Sequence, residues 1–172
     1  AMRVEYERIA AAGLLLQVDC PDLGLGRHSR FKALSDAEFL RRAALHVEAL
    51  DDALRGIPPE RLRLHVCWGN YQGPHTHDLP LETLLPVVLR ARPAQLLVEA
   101  ANPRHEHEWE VWQRHPLPDG KVLVPGVIDV STNVVEHPEL VKERILRYAN
   151  LVGRENDGMR IFGEQVIPRI GG

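Results

Sequence analysis

The feature that most constrains this chain is a fourfold alternation of short apolar runs with helix-type stretches. The runs are "GLLLQVD" ending at Asp19, "RLRLHVC" ending at Cys67, "AQLLVEAAN" around Glu99 and "KVLVPGVID" ending at Asp129. Each has strand length, and turn-forming residues bound it. Between the first two runs, Ser35 and Glu38 form an S-x-x-E capping box, and Phe39, Ala43, Val47, Leu50 and Leu54 give one apolar helical face. Gly56 and "IPPE" stop that helix. After "WGNYQGPHTHD", Asp78 and Pro80 read as a helix start, with Pro86 kinking the helix or shifting its beginning. "PRHEHEWEVWQR" reads as a short charged helix. A last helix runs from His137-Pro138-Glu139 to about Val152, stopped by Gly153, and "QVIP" is a possible fifth strand.

Alternating βα units with nearly continuous apolar strands predict a parallel sheet covered by helices. A doubly wound sheet and a (β/α) barrel both satisfy that pattern, but no G-x-G-x-x-G is present to support a dinucleotide fold. Polar residues at successive strand ends, Asp19, His65 with Cys67, Glu99 and Asp129, favour the barrel. A complete barrel takes about 250 residues. The expectation is therefore an incomplete (β/α)8 TIM-type barrel with four clear parallel strands and a possible fifth. It forms a single partial domain over residues 3–172, with Ala1 and Met2 a cloning remnant and the start Met. Such a piece leaves sheet edges open, which predicts a homo-oligomer or association with another barrel piece.

Net charge is -3, so nothing resembles the basic footprint of a nucleic-acid binder. No apolar run approaches the roughly 20 residues of a membrane span, and no signal peptide is recognised. With two cysteines, Cys20 and Cys67, and no sign of an oxidising compartment, the expectation is a reduced, cytoplasmic protein.

His65 and Cys67 lie two apart on one strand, so their side chains point the same way. With a carboxylate they make an S, N, O donor set of the kind zinc accepts. The rival reading is a buried structural cysteine beside a satisfied histidine. For Glu99 it is a structural ion pair with Arg104. "HTH" (His75, His77) and "HEH" (His105, His107) either extend a metal site or lie in solvated loops. Trp68 and Tyr71 either stack on a substrate or pack under the loop, and Arg27, His28 and Arg30 either bind an anion or are solvated. Glu106, Glu108 and Glu110 read as an exposed face.

"HVCWGN", then Glu99 in "LLVEAANPRHEHEW", then "VLVPGVID" and the opening "LLLQVDCPDL" together resemble the C-terminal catalytic domain of cobalamin-independent methionine synthase and its shorter relatives. The resemblance runs from about residue 11 to Asn156. It implies a (β/α)8 barrel in which zinc (Zn) activates homocysteine sulfur for methylation by a folate. The partners it implies are a small-molecule thiol and a methyl donor. It also implies His65, Cys67 and Glu99 as zinc ligands, and Asp19 as the group that holds the thiol substrate's amino group. A variant of the same chemistry is a thiol alkyltransferase of the epoxyalkane:coenzyme M type. The rival of another class is a non-catalytic, vestigial metal-binding half-barrel.

The chain departs from the family in three ways. The family's last ligand is a cysteine in a G-T-D-C-G-F-like strand end, whereas this chain reads "DGMRIFGEQVIPRIGG" with no cysteine after Cys67. Met159 is no equal substitute, being a neutral thioether. Where the family carries a histidine in D-x-H-S-x-N, this chain has "DVSTNVV" with Ser131 and Thr132, and His137 is merely near in sequence, so no catalytic residue is assigned. The first barrel strands, with their folate and carboxylate contacts, are not recognised in this sequence.

Overall fold

A computed structural model describes residues 2–71 and 73–151. Four parallel strands form one sheet: β1 (Leu16–Cys20), β2 (Leu62–Val66), β3 (Gln95–Glu99) and β4 (Val122–Gly126). Their spatial order equals their order in the chain, β1-β2-β3-β4. A doubly wound sheet reverses direction at a switch point. None occurs among the described strands, so the winding is that of a partial TIM-type barrel.

Alternation decides which face each strand buries. Leu62, Leu64 and Val66 of β2 and Leu96 and Val98 of β3 point into the core, while Arg63, His65, Gln95 and Glu99 point to the other side. The core lies between the sheet and its helices and includes Phe39, Val47, Leu64, Val66, Leu84, Leu85, Leu96, Leu123 and Tyr148. The opposite face would be the interior of a closed barrel. Gln17, Arg63 and Gln95 form a polar row across it, with Arg63 donating to the side-chain oxygens of Gln95 (2.9 Å) and Gln17 (3.4 Å).

Among the described residues six α-helices accompany the strands. α1 (Arg3–Ala11) has no apolar stripe that the sequence reading could detect, yet Tyr6, Ile9 and Ala10 lean on Leu16, Leu54, Ile57 and Leu62. α2 (Leu25–His28) is a single turn. α3 (Asp36–Leu54) begins as predicted: Ser35 accepts from the Glu38 N–H, and Glu38 accepts from the Ser35 N–H at 2.8 Å. α4 (Leu81–Val88) starts after Pro80, which stands at the N-cap position without a capping side chain, and keeps Pro86 inside it. The charged segment splits into a 3-10 turn (Glu106–Glu110) and α5 (Val111–Arg114), and α6 spans Pro138–Leu151. Gly153, Met159 and "QVIP", the possible fifth strand, lie outside the described residues. Among the described residues no helix is long and apolar enough to cross a membrane.

β4 ends at Gly126, not at Asp129. Asp129 sits three residues beyond it, where its N–H donates to Glu136 and its carboxylate accepts from the Ser131 N–H, each at 2.8 Å. An Asx turn has taken a residue expected on the strand.

Candidate metal centre

The parallel register sets Asp19 of β1 directly beside His65 of β2. Their side chains meet, His65 Nδ1 lying 2.7 Å from Asp19 Oδ1. Cys67 follows one residue after β2, on the same side as His65. Asp19, His65 and Cys67 each offer a ligand atom, and the three atoms lie within 4.8 Å of one another. They open into a cavity of about 430 Å³ whose wall also includes Glu99, Asn70, Val130 and Ser131. Three of the expected polar strand-end positions therefore share one rim. Asp129 does not line that cavity.

Glu99 is held differently from the trio. Its Oε1 accepts from the N–H groups of Ala100, Ala101 and Asn102 at 2.9, 2.8 and 3.1 Å. Three backbone donors on one oxygen fix the carboxylate, and Glu99 is not one of the three residues whose ligand atoms lie within 4.8 Å of one another. The alternative pairing with Arg104 does not form. That guanidinium turns to Gly69 O (3.5 Å) and Asp78 (3.8 Å).

Two glycines shape the rim. A Cβ on Gly24 would lie 2.5 Å from the carbonyl oxygen of Cys67, and Leu25 N–H donates to that same oxygen at 2.8 Å. The turn after β1 thus clamps the end of β2, and only glycine lets the backbones approach so closely. Gly69 has φ +80°, a conformation that suits glycine, and its N–H donates to Cys67 Sγ at 3.3 Å.

Burial pushes the Cys67 thiol up, with the Asp19 and Glu99 carboxylates adding to the rise against the opposing Gly69 N–H. Without a cation the sulfur therefore keeps its proton. S, N and O donors that converge on a partly open cavity, beside carboxylates that disfavour a bare thiolate, fit a divalent metal ion. Cys20 is the buried counterpart: burial, then Asp22, Asp19 and Cys67, push its thiol up to about 12.

Several other readings from the sequence change. Glu108 is buried, not exposed, and its Oε2 lies 2.8 Å from Nδ1 of the equally buried His105. His75 is no solvated loop residue, since its side chain is fully covered and bonds Asp78 at 2.7 Å. Arg27 is no anion receptor: it is buried and donates to Asp36 (2.9 Å) and the Lys32 carbonyl (3.2 Å). Trp68 packs under the loop, its ring against His105 and its N–H on the Leu79 carbonyl, while Tyr71 is exposed. His137 accepts from the Glu139 N–H, at the start of α6. The sequence reading missed Asn70 as a wall residue and Gly24 as a clamp. "CPDLGLG", rich in turn formers straight after a strand, carried the signal for the clamp.

No family model and no solved structure matches the chain. Two curated proteins are similar to it. The 2-hydroxypropyl-CoM lyase of Xanthobacter autotrophicus is 27% identical over 139 residues, covering 66% of this chain and 37% of that protein. The methionine synthase of Methanothermobacter marburgensis is 30% identical over 158 residues, covering 91% of this chain and 42% of that protein. The chain therefore spans about two-fifths of the length of these curated relatives, and it is distantly related in sequence to both.

Proposed function

We propose that this chain carries the thiol-activating part of a zinc-dependent alkyl transfer, with methyl transfer to homocysteine, giving methionine, as the reaction its cavity supports best. The observation that carries the reading is the convergence of Asp19, His65 and Cys67 on one cavity that Glu99 also lines. His65, Cys67 and Glu99 are the proposed ligands, leaving an open position for a substrate thiol, as zinc permits in catalytic sites. A zinc ion there would keep a bound thiol deprotonated at neutral pH.

The chain's own residues do the positioning. The three backbone donors hold Glu99 still, and Asp19 against His65 Nδ1 leaves Nε2 as the ligand atom. In the transfer the thiol proton leaves and sulfur attacks the methyl carbon. The S–C bond forms as the bond to the donor breaks, its electron pair and a proton going to the donor, a methylated folate or another methyl carrier.

The similarity to 2-hydroxypropyl-CoM lyase supports a second reading, thiol alkylation with a sulfonate-bearing thiol. The cavity's charge favours the first. Among the described residues its wall contains Asp19 and Glu99 and no arginine or lysine, which suits an ammonium-bearing thiol better than a sulfonate. A zinc-edge X-ray absorption measurement on the zinc-loaded chain tests this. Homocysteine should add a sulfur neighbour and 2-mercaptoethanesulfonate should not. Addition by the sulfonate thiol alone would transfer support to the second reading, and no change with either would overturn thiol binding.

A further inference from the structure

We infer that the loop after β2, with His28 of α2 and His105 from the turn after β3, builds a second divalent-cation site, free of thiolate, from His28, His75, Asp78 and His105. The Trp68 ring packs against His105, with centroids 4.6 Å apart, and the site does not depend on the function proposed above. The ligand atoms of His28, His75 and Asp78 lie within 4.8 Å of one another, and they come from α2 and from "GPHTHD". One histidine of each H-x-H motif, His75 and His105, faces Asp78 there.

The buried atoms around Asp78 are under-partnered even though the Arg104 guanidinium stands 3.8 Å from its Oδ2, because that guanidinium nitrogen also lacks a hydrogen-bond partner. The Asp78 side chain is 10% exposed, and its Oδ1 is buried without a partner. His105 Nε2 is also buried without a partner, and it faces Asp78 Oδ2 at 3.7 Å. That separation is too long for a hydrogen bond. Ligands of a tetrahedral ion at about 2.0–2.1 Å lie roughly 3.4 Å apart, so His105, which stands outside the 4.8 Å group of His28, His75 and Asp78, must move inward slightly to complete the site. His105 is aimed there from behind. Its Nδ1 meets Glu108 Oε2 at 2.8 Å, and the other Glu108 oxygen accepts from the Leu81 N–H at 2.6 Å. A carboxylate behind a histidine fixes its tautomer and directs the other nitrogen at a metal.

His75 supports the same geometry. Its Nε2 lies 3.2 Å from the Tyr71 carbonyl, which accepts only, so this nitrogen must donate. In the neutral ring Nδ1 then turns a lone pair toward Asp78 Oδ2 at 2.7 Å, a contact that needs a cation or a second proton. That contact must open slightly to admit an ion. His28 stacks on His75 with ring centroids 4.6 Å apart, and its Nδ1 accepts from the Thr76 N–H, leaving Nε2 free. Three imidazoles and a carboxylate suit a borderline divalent ion such as Zn²⁺ or Co²⁺. The rival is a proton network in which His75 and His105 are imidazolium ions.

Titrating the metal-stripped full chain with Co²⁺, followed by absorption spectroscopy and metal analysis, separates the two. Cys67→Ser should still bind one equivalent, without a thiolate-to-cobalt charge-transfer band, and adding His28→Ala or His105→Gln to it should release that ion. Wild type should bind two equivalents and show the band. If the thiol site fails and this one holds, wild type binds a single bandless equivalent that His28→Ala removes. No Co²⁺ on Cys67→Ser, or binding unaffected by both histidine substitutions, would overturn the inference. Should His105→Gln misfold, the Cys67→Ser titration and His28→Ala still decide.

Discussion

At the scale of single residues, the two cysteines take the two fates that the sequence left open for Cys67. Cys20 closes the core side of β1 and is 7% exposed, whereas Cys67 is half-buried and faces the cavity. Period-two alternation made this half legible: His65 and Cys67 share a face because they are two apart, and Asp19 points to that side as well. What was not legible is where Glu99 spends its oxygens, since three backbone N–H groups from the following turn are invisible in a string of residue types. Cys20 provides a check. With burial holding its thiol near 12, iodoacetamide at pH 8 should leave Cys20 unmodified in the folded chain, as read by peptide mass spectrometry. Alkylation of Cys20 before unfolding would contradict its placement.

At the scale of elements, the turns matter more than the strands they join. Gly24→Ala should push the β1–α2 turn off the Cys67 carbonyl and cost about 1–3 kcal/mol, as overpacking does. Metal bound at Cys67 should weaken with it. Urea denaturation measures the first effect, and unchanged stability would mean the clamp is absent. The loop after β4 is locked by Glu136 and Arg144, whose side chains are 10% and 7% exposed and whose N–O contact is 2.6 Å. Burial acts to raise the Glu136 carboxyl, but the Asp129 N–H and Arg144 together hold it below its usual range. A lowered folded value means the pair's stabilisation is present above about pH 4.3, the unfolded value, and is lost as pH falls through the folded one. Glu136→Gln should therefore destabilise by about 3 kcal/mol at pH 7. The deficit relative to wild type should shrink in acid, and a pH-independent deficit would contradict the assignment. These features also show why sequence reading placed β4 too far. "VID" is apolar enough to continue a strand, but the Asx turn at Asp129 and its bond to Glu136 come from tertiary context. α3 was legible to the residue because its cap and its stripe agreed. The single apolar stripe of α3 had no equivalent in α1.

At the scale of the whole molecule, the sheet has one face covered by helices and one that a closed barrel would bury. Gln17, Arg63 and Gln95 satisfy each other there, but β1 and β4 have no further strand beside them among the described residues. We propose that this face closes against further βα units, which a second copy of the chain can supply. Light scattering should then give a mass above 19.4 kDa that falls on dilution, and a monodisperse monomer at all concentrations would contradict it. The central claim is narrower: a thiolate from Cys67 binds zinc at the rim of this sheet. Zinc content and zinc-edge absorption should be measured on wild type and Cys67→Ser, both purified without chelator. Wild type should show a sulfur neighbour at about 2.3 Å, and Cys67→Ser should lose one zinc per chain together with that neighbour. Equal zinc in the two proteins, or a wild-type spectrum without sulfur, would contradict the account.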